Sequence, residues 1–112
     1  MVKVKWELDE AVILCDAYIK SGRTMNIEKS ILENLPILLN KRAREKGMIV
    51  DEKFRNIYGL SMQVRCIHHI ATNGREGLSN VGKIFSEAYD LSENNPKEFY
   101  SIVDDFYQKY AG

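Results

Sequence analysis

The sequence predicts an all-α fold, a single compact bundle of about five helices ending in an antiparallel helical hairpin. Three observations carry that prediction. Apolar residues recur at intervals of three and four along most of the chain, capping and terminating residues punctuate those runs, and no stretch sustains the alternation of a strand. The nearest approach to alternation, Val2-Lys3-Val4-Lys5-Trp6, reads as an extended arm.

Asp9 stands as the N-cap of the first helix, ahead of Ala11, Leu14, Cys15 and Tyr18 at helical spacing and with Gly22 beyond the end, giving a helix from about Asp9 to Lys20. Trp6, just before that cap, is placed to fold back and pack on the first turn. Asn26 caps a second stretch in which Ile27, Ile31, Leu35 and Leu38 recur and Gly47 supplies the stop. Pro36 falls inside this stretch and removes one helical hydrogen bond, which predicts a kink or two shorter helices meeting near Asn34. Residues 51–56 make a helical turn at most. A third helix from near Gly59 to Thr72 buries Leu60, Val64, Ile67 and Ala71, ends at Asn73-Gly74, and is followed by a loop over residues 75–78. Ser79 caps the fourth helix, with Val81, Ile84, Phe85, Ala88 and Leu91 on one face. Asn95-Pro96 opens the last, asparagine at the cap and proline at the first helical position, followed by Phe99, Ile102, Val103, Phe106 and Tyr110. The short connection between these two predicts the hairpin.

Length and composition bound the rest. At 112 residues, with 45% hydrophobic and 29% charged residues, the chain suits one globular core and reads as a single helical domain over residues 1–112, or as a domain excised from a longer chain. No apolar run approaches the roughly 20 residues that span a bilayer, and the first residues lack a secretory pattern, so no membrane partner and a cytoplasmic location are expected. Cys15 and Cys66 each sit in an apolar helical pattern and read as buried free thiols rather than a disulfide or zinc framework. The formal net charge of zero argues against coating nucleic acid by bulk electrostatics. Its distribution is uneven, a net of +4 over residues 1–83 and −4 over residues 84–112.

Constellations that suggest chemistry have simpler readings. His68 and His69 are adjacent and diverge by about 100° on a helix, so they do not share a metal; one is expected at an interface or exposed, the other partly buried. Asp9, Glu10 and Asp16 resemble an acid-base set, yet the first two occupy a first turn where negative charge suits the helix dipole. Gly74-Arg75-Glu76-Gly77 lacks the strand and the Lys-Ser/Thr of a nucleotide cradle. No cofactor, no metal and no enzymatic activity are expected. An enzyme would require the fold to gather distant residues such as Asp16, Arg55 and His68 into one pocket.

Two surface features remain. Lys41, Arg42, Arg44 and Lys46 crowd the end of the second helix, with Lys53 and Arg55 shortly after. Such cations either complement the helix C-terminus or contact a phosphate or an acidic partner. Arg55-Asn56 beside Tyr58 leads into a helix that displays Gln63 and Arg65. Asn56 can cap backbone amides while Arg55 caps carbonyls of a neighbouring helix end; alternatively Arg55, Tyr58, Gln63 and Arg65 form an anion or nucleic-acid contact at a helix N-terminus.

Two stretches, Trp6-Glu7-Leu8-Asp9-Glu10-Ala11-Val12 running on to Asp16-Ala17-Tyr18, and Phe54-Arg55-Asn56 followed by Gly59-Leu60-Ser61-Met62-Gln63, carry a resemblance. Together they resemble a helical module found near the N-terminus of bacterial HNH restriction-type endonucleases and of helicase-like or sigma-factor-like proteins. The likeness spans roughly residues 4–90. It implies an accessory role in a DNA-related or defence protein, and with the surface features above this gives a non-enzymatic domain expected to contact nucleic acid through Arg42, Arg44, Arg55, Asn56, Tyr58, Gln63 and Arg65. The alternative from the residues alone is a protein-interaction or self-association module that uses Tyr100, Tyr107 and Tyr110.

Overall fold

The computed structural model describes residues 5–51, 53–77 and 82–111, which form five α-helices. These are α1 (Leu8–Lys20), α2 (Lys29–Glu45), α3 (Ile57–Ala71), α4 (Lys83–Asn94) and α5 (Pro96–Tyr110). No strand occurs among the described residues, so the all-α bundle is as the periodicity requires. Among the described residues no helix is long and apolar enough to cross a membrane.

Helix α1 is the axis of the bundle. The sequence pattern marks only one face of it, but every residue from Glu10 to Tyr18 is buried. A helix apolar on most sides is one that neighbours surround, and α2, α3, α4 and α5 all pack against this one. Leu35, Leu38 and Leu39 of α2, Leu60, Val64 and Ile67 of α3, Phe85 and Ala88 of α4, and Phe99, Val103 and Phe106 of α5 close over it. The radius of gyration, 13.3 Å, matches the value of about 13 Å expected of a compact chain this long.

The N-terminal boundaries of α1 and α2 differ from the sequence expectation. The cap of α1 is Glu7, not Asp9, because the Glu7 amide donates to Glu10 Oε1 at 3.0 Å and draws the helix start two residues earlier. That frees Asp9 for another partner. Helix α2 starts after Glu28, not at Asn26, whose amide is taken by Thr24 Oγ1 in a turn. It then runs unbroken through Pro36, not as two helices meeting near Asn34. Proline removes one amide donor, but burial of Leu35, Leu38 and Leu39 around it sustains the helix, and the Asn40 side chain donates to the Pro36 carbonyl at 2.7 Å.

Helices α3 and α4 also start away from the expected residues, α3 at Ile57 rather than near Gly59 and α4 after Gly82 rather than after Ser79, while the ends at Asn73-Gly74 and Asn95-Pro96 fall where expected. Asn56 caps α3 by accepting from the Gly59 amide at 2.8 Å, which starts the helix at Ile57 and takes Gly59 into its first turn. Asn73 follows α3 with a left-handed φ of 54°, and Gly74 N–H bonds back to the His69 carbonyl at 2.8 Å, a Schellman ending. Helix α4 begins after Gly82; the predicted cap Ser79 and the predicted core residue Val81 lie outside the described residues. Asn95 alone joins α4 to α5, its side chain accepting from the Glu98 amide with Pro96 next in line, and the two helices fold back on each other as a hairpin.

The loop after α3 is pressed against that helix at Gly77. Its φ is 86°, and a Cβ there would lie 2.2 Å from the Arg65 carbonyl oxygen and 2.8 Å from the His69 nitrogen. Gly22, after α1, has a similar φ of 87° with nothing within 4 Å of a Cβ. Gly22→Ala is therefore expected to cost about 1–2 kcal/mol for the left-handed backbone alone, and Gly77→Ala clearly more, because backbone must move. Urea denaturation of the two variants checks the order; equal losses would contradict the close approach at Gly77.

Candidate functional site

Five charged side chains meet at the N-terminus of α1. Arg42, in the last turn of α2, is 1% exposed. Its guanidinium grips Asp9 with two parallel bonds, Nε to Oδ2 and Nη2 to Oδ1, both 2.8 Å, and Nη2 also donates to Glu7 Oε1 at 2.9 Å. Arg55 comes from the turn before α3 and takes Glu10, with Nε on Oε2 at 2.9 Å and Nη2 on Oε1 at 3.1 Å, while Nη2 also donates to the Lys5 carbonyl at 3.1 Å. Glu10 links the two arginines, since Arg42 Nη1 lies 3.7 Å from its Oε1. Lys46 stands at the rim, 3.7 Å from Glu7.

Aromatic rings complete the arrangement. The Arg55 guanidinium carbon lies 4.1 Å from the Trp6 ring centroid and 4.4 Å from that of Phe54, so its charge is held between two π faces. Trp6 in turn packs on Phe85 of α4 at 5.1 Å, a partner on another helix that its position before α1 did not indicate. Arg55 adopts a left-handed φ of 48°, unfavourable for a side chain with a Cβ and sustained here by the contacts that fix its head. Burial works against the charge of Arg42, but hydrogen bonds to Asp9 and Glu7 outweigh it and hold its pKa above the usual arginine value. The same Arg42 bond holds the Glu7 carboxyl below the usual carboxylate range.

Three of the predicted contact residues are thereby assigned to the fold. Arg42 and Arg55 face inward onto carboxylates, which corrects the expectation that they reach a ligand: Arg42 is buried with Nε and Nη2 committed to Asp9 and Glu7, its Nη1 is enclosed beside Glu10 where a phosphate would not reach it, and the Arg55 side chain is 7% exposed against Glu10. Asn56 is occupied as the α3 cap. Gln63 is half-buried, and only Arg44, Tyr58 and Arg65 point outward. Tyr58, 75% exposed, shares a stripe on α3 with Met62, 43% exposed, and Arg65, at spacings of four and three, and Ile57 is exposed beside it. Sequence reasoning missed Ile57 and Met62. The signal was available, since both fall off the buried Leu60, Val64 and Ile67 line. Of the three tyrosines of the alternative surface, Tyr100 is exposed, Tyr107 half-buried, and Tyr110 belongs to the core against Phe106 at 4.9 Å.

A second polar cluster crosses the bundle on another side of α1. Tyr18 Oη lies 2.7 Å from His68 Nδ1, and His68 Nε2 lies 2.8 Å from Glu76 Oε1. Tyr18 Oη also donates to the Arg23 carbonyl oxygen at 3.2 Å, so the hydroxyl and the imidazole together join the end of α1 to α3 and Glu76. Burial pushes the Tyr18 hydroxyl up to about 12 and the Cys15 thiol up as well. Cys15 and Cys66 are buried thiols, as their apolar settings predicted. His68 is buried and His69 half-buried, and among the described residues no three His, Cys, Asp or Glu side chains are placed to hold a metal. Asp16, Arg55 and His68 are not gathered into one pocket: Arg55 is bound to Glu10, His68 to Tyr18, and Asp16 and Tyr18 leave the helix on opposite sides.

Comparison with protein-family models, with curated proteins and with solved structures found no match to this chain.

Two predictions follow from the α1 cluster. Arg42→Ala leaves Asp9 and Glu7 without their main partner and is expected to cost about 3–5 kcal/mol, whereas Arg44→Ala on the exposed side should stay within about 0.5 kcal/mol; urea denaturation measures both. Glu7 has a folded pKa below its unfolded one, so its contribution is present above the unfolded value and lost as pH falls through the folded one. The urea midpoint should therefore hold between pH 7 and 5 and drop below about pH 4.3, with a shallower drop in Glu7→Gln. An unchanged acid profile in that variant would remove Glu7 from the account.

Proposed function

We propose that this chain is a non-enzymatic helical accessory domain that works by holding the outer face of α3 against a protein partner. The observation that carries the reading is the stripe of Tyr58, Met62 and Arg65, with Ile57 beside it, on a helix whose start is fixed by the Asn56 cap. Aromatic residues, methionine and arginine are the types enriched at the centres of protein interfaces, and tyrosine and arginine recur among the side chains that carry most binding energy. A rigid helix presents them at low entropic cost.

A nucleic-acid partner is the weaker reading. It relied on Arg42, Arg44, Arg55 and Arg65 acting together, and two of those guanidiniums are spent on Asp9, Glu7 and Glu10. The zero net charge leaves no broad cationic field to replace them. The resemblance to a module carried by DNA-acting bacterial proteins supports an accessory role in such an assembly, with the contact made to another protein of it.

A photoreactive phenylalanine analogue at position 58, introduced in the cells that make the protein, should yield one dominant crosslinked product that protease removes and nuclease does not. The same group at Asp105, exposed on α5, should not yield it. A nuclease-sensitive product would replace the protein reading with the nucleic-acid one. Absence of any product specific to position 58 would overturn both.

A further inference from the structure

Away from α3, a cleft of about 320 Å³ opens between α1, α2 and α5, lined by Asp16, Lys20, Ser30, Ile31, Asn34 and Tyr107 among others. Asp16 lies at its inner end with its side chain 1% exposed. Neither carboxylate oxygen receives a hydrogen bond of good geometry among the described residues. The Lys20 ammonium is 2.9 Å from Oδ2, one turn along the same helix, on a side chain that is 59% exposed. Oδ1 has no such neighbour.

The contrast with Glu10, six residues earlier on the same helix, is instructive. Glu10 is also 1% exposed and is gripped by the two-pronged contact of Arg55, with Arg42 nearby. Buried carboxylates are costly unless paired, and this fold pairs Glu10 with a buried arginine. Asp16 is given one flexible ammonium that reaches in from solvent. The pair lies within one helix and its ammonium is on the solvent side, so another ammonium can take the place of Lys20 without any helix moving.

The walls suit a cation with an alkyl tail. Asp16 and Lys20 are the two formally charged lining residues, Ile31, Leu35 and Ala17 are apolar, Ser30 and Asn34 supply neutral polar groups, and the Tyr107 ring forms the α5 side. Lys20 Nζ itself stands 6.0 Å from the centre of that ring, the placement of a cation near an aromatic face. Burial, together with the charge of Asp16, raises the Tyr107 pKa, so its hydroxyl stays neutral at physiological pH.

We infer that this cleft is a binding site for a primary alkylammonium group, which displaces the Lys20 ammonium from Asp16 and lays its alkyl chain along Ile31 and Leu35. The group could belong to a small free amine or to a lysine side chain of another polypeptide; the recognition chemistry is the same. Lys20 acts as an internal competitor, at the high effective concentration that a four-residue spacing imposes.

The test uses n-butylammonium and the peptide acetyl-Gly-Lys-Gly-amide, titrated into the ¹⁵N-labelled chain and followed by NMR at residues 16–20, 30–35 and 107. Removing the competitor in Lys20→Met should tighten n-butylammonium by about tenfold or more, and Asp16→Asn should abolish the response. If Asp16→Asn fails to fold, Ser30→Trp, placed at the exposed rim, should block the site in its place. Tighter binding of the peptide than of the amine assigns the site to a polypeptide lysine; equal binding assigns it to the free amine. No saturable shift in Lys20→Met up to about 20 mM, weaker than any useful affinity, would overturn the proposal, as would an equal response to neutral n-butanol.

Discussion

The burial of Arg42 is the constraint on which the rest of the structure depends. A guanidinium is not titrated away in water, so a chain that places one at 1% exposure must surround it with acids or fail to fold. The acids are Glu7, the cap of α1, and Asp9 and Glu10 in its first turn. Their position does two things together. It puts negative charge at the positive end of the α1 dipole, and it fixes the C-terminal turn of α2 to the N-terminal turn of α1. Arg55 then adds the third element, since the carboxylate it shares is the one that also caps Glu7. From Arg55 the chain passes directly to Asn56, the cap of α3. The ion pairs therefore set where α3 begins and which of its sides faces outward.

Much of the fold could be read from local chemistry. Asn95-Pro96, Asn73-Gly74 and Gly47 mark helix ends through backbone preferences that act within a few residues, so a single sequence exposes them. The central position of α1 was also written in the sequence, in the unbroken run Ala11-Val12-Ile13-Leu14-Cys15, which a one-sided amphipathic helix would not carry. Picking out only Ala11, Leu14, Cys15 and Tyr18 undervalued that run. The direction of Arg42 was not legible. A basic last turn looks the same whether its side chains reach solvent or reach carboxylates 33 residues away, and only the packing angle of α2 on α1 decides between them.

The two stretches that carry the resemblance to the bacterial module meet in space. Trp6, Glu7, Asp9 and Glu10 lie in the first, Phe54 and Arg55 in the second, and their contacts are those of the α1 cluster. A pattern of this kind specifies an architecture before it specifies a ligand. On the proposed reading, the residues that recognise a partner lie elsewhere on the same elements, at positions where the architecture leaves the side chain outside. Tyr58 and Met62 are such positions on α3, and neither depends on a charge that the fold has already neutralised.

Asp16 shows the other side of that reasoning. Had its role been to fix α1 against α2, the fold has a way to do so, because Arg42 of α2 secures Asp9 of α1 with a planar, two-pronged contact. The partner at Asp16 comes instead from its own helix, so the pair ties no two elements together and adds little to tertiary stability. What it does is keep a buried charge tolerable while leaving the opening beside it unfilled. An acid kept this way differs from Glu10 in the property that distinguishes a site from a strut: its counter-ion can leave without the fold coming apart.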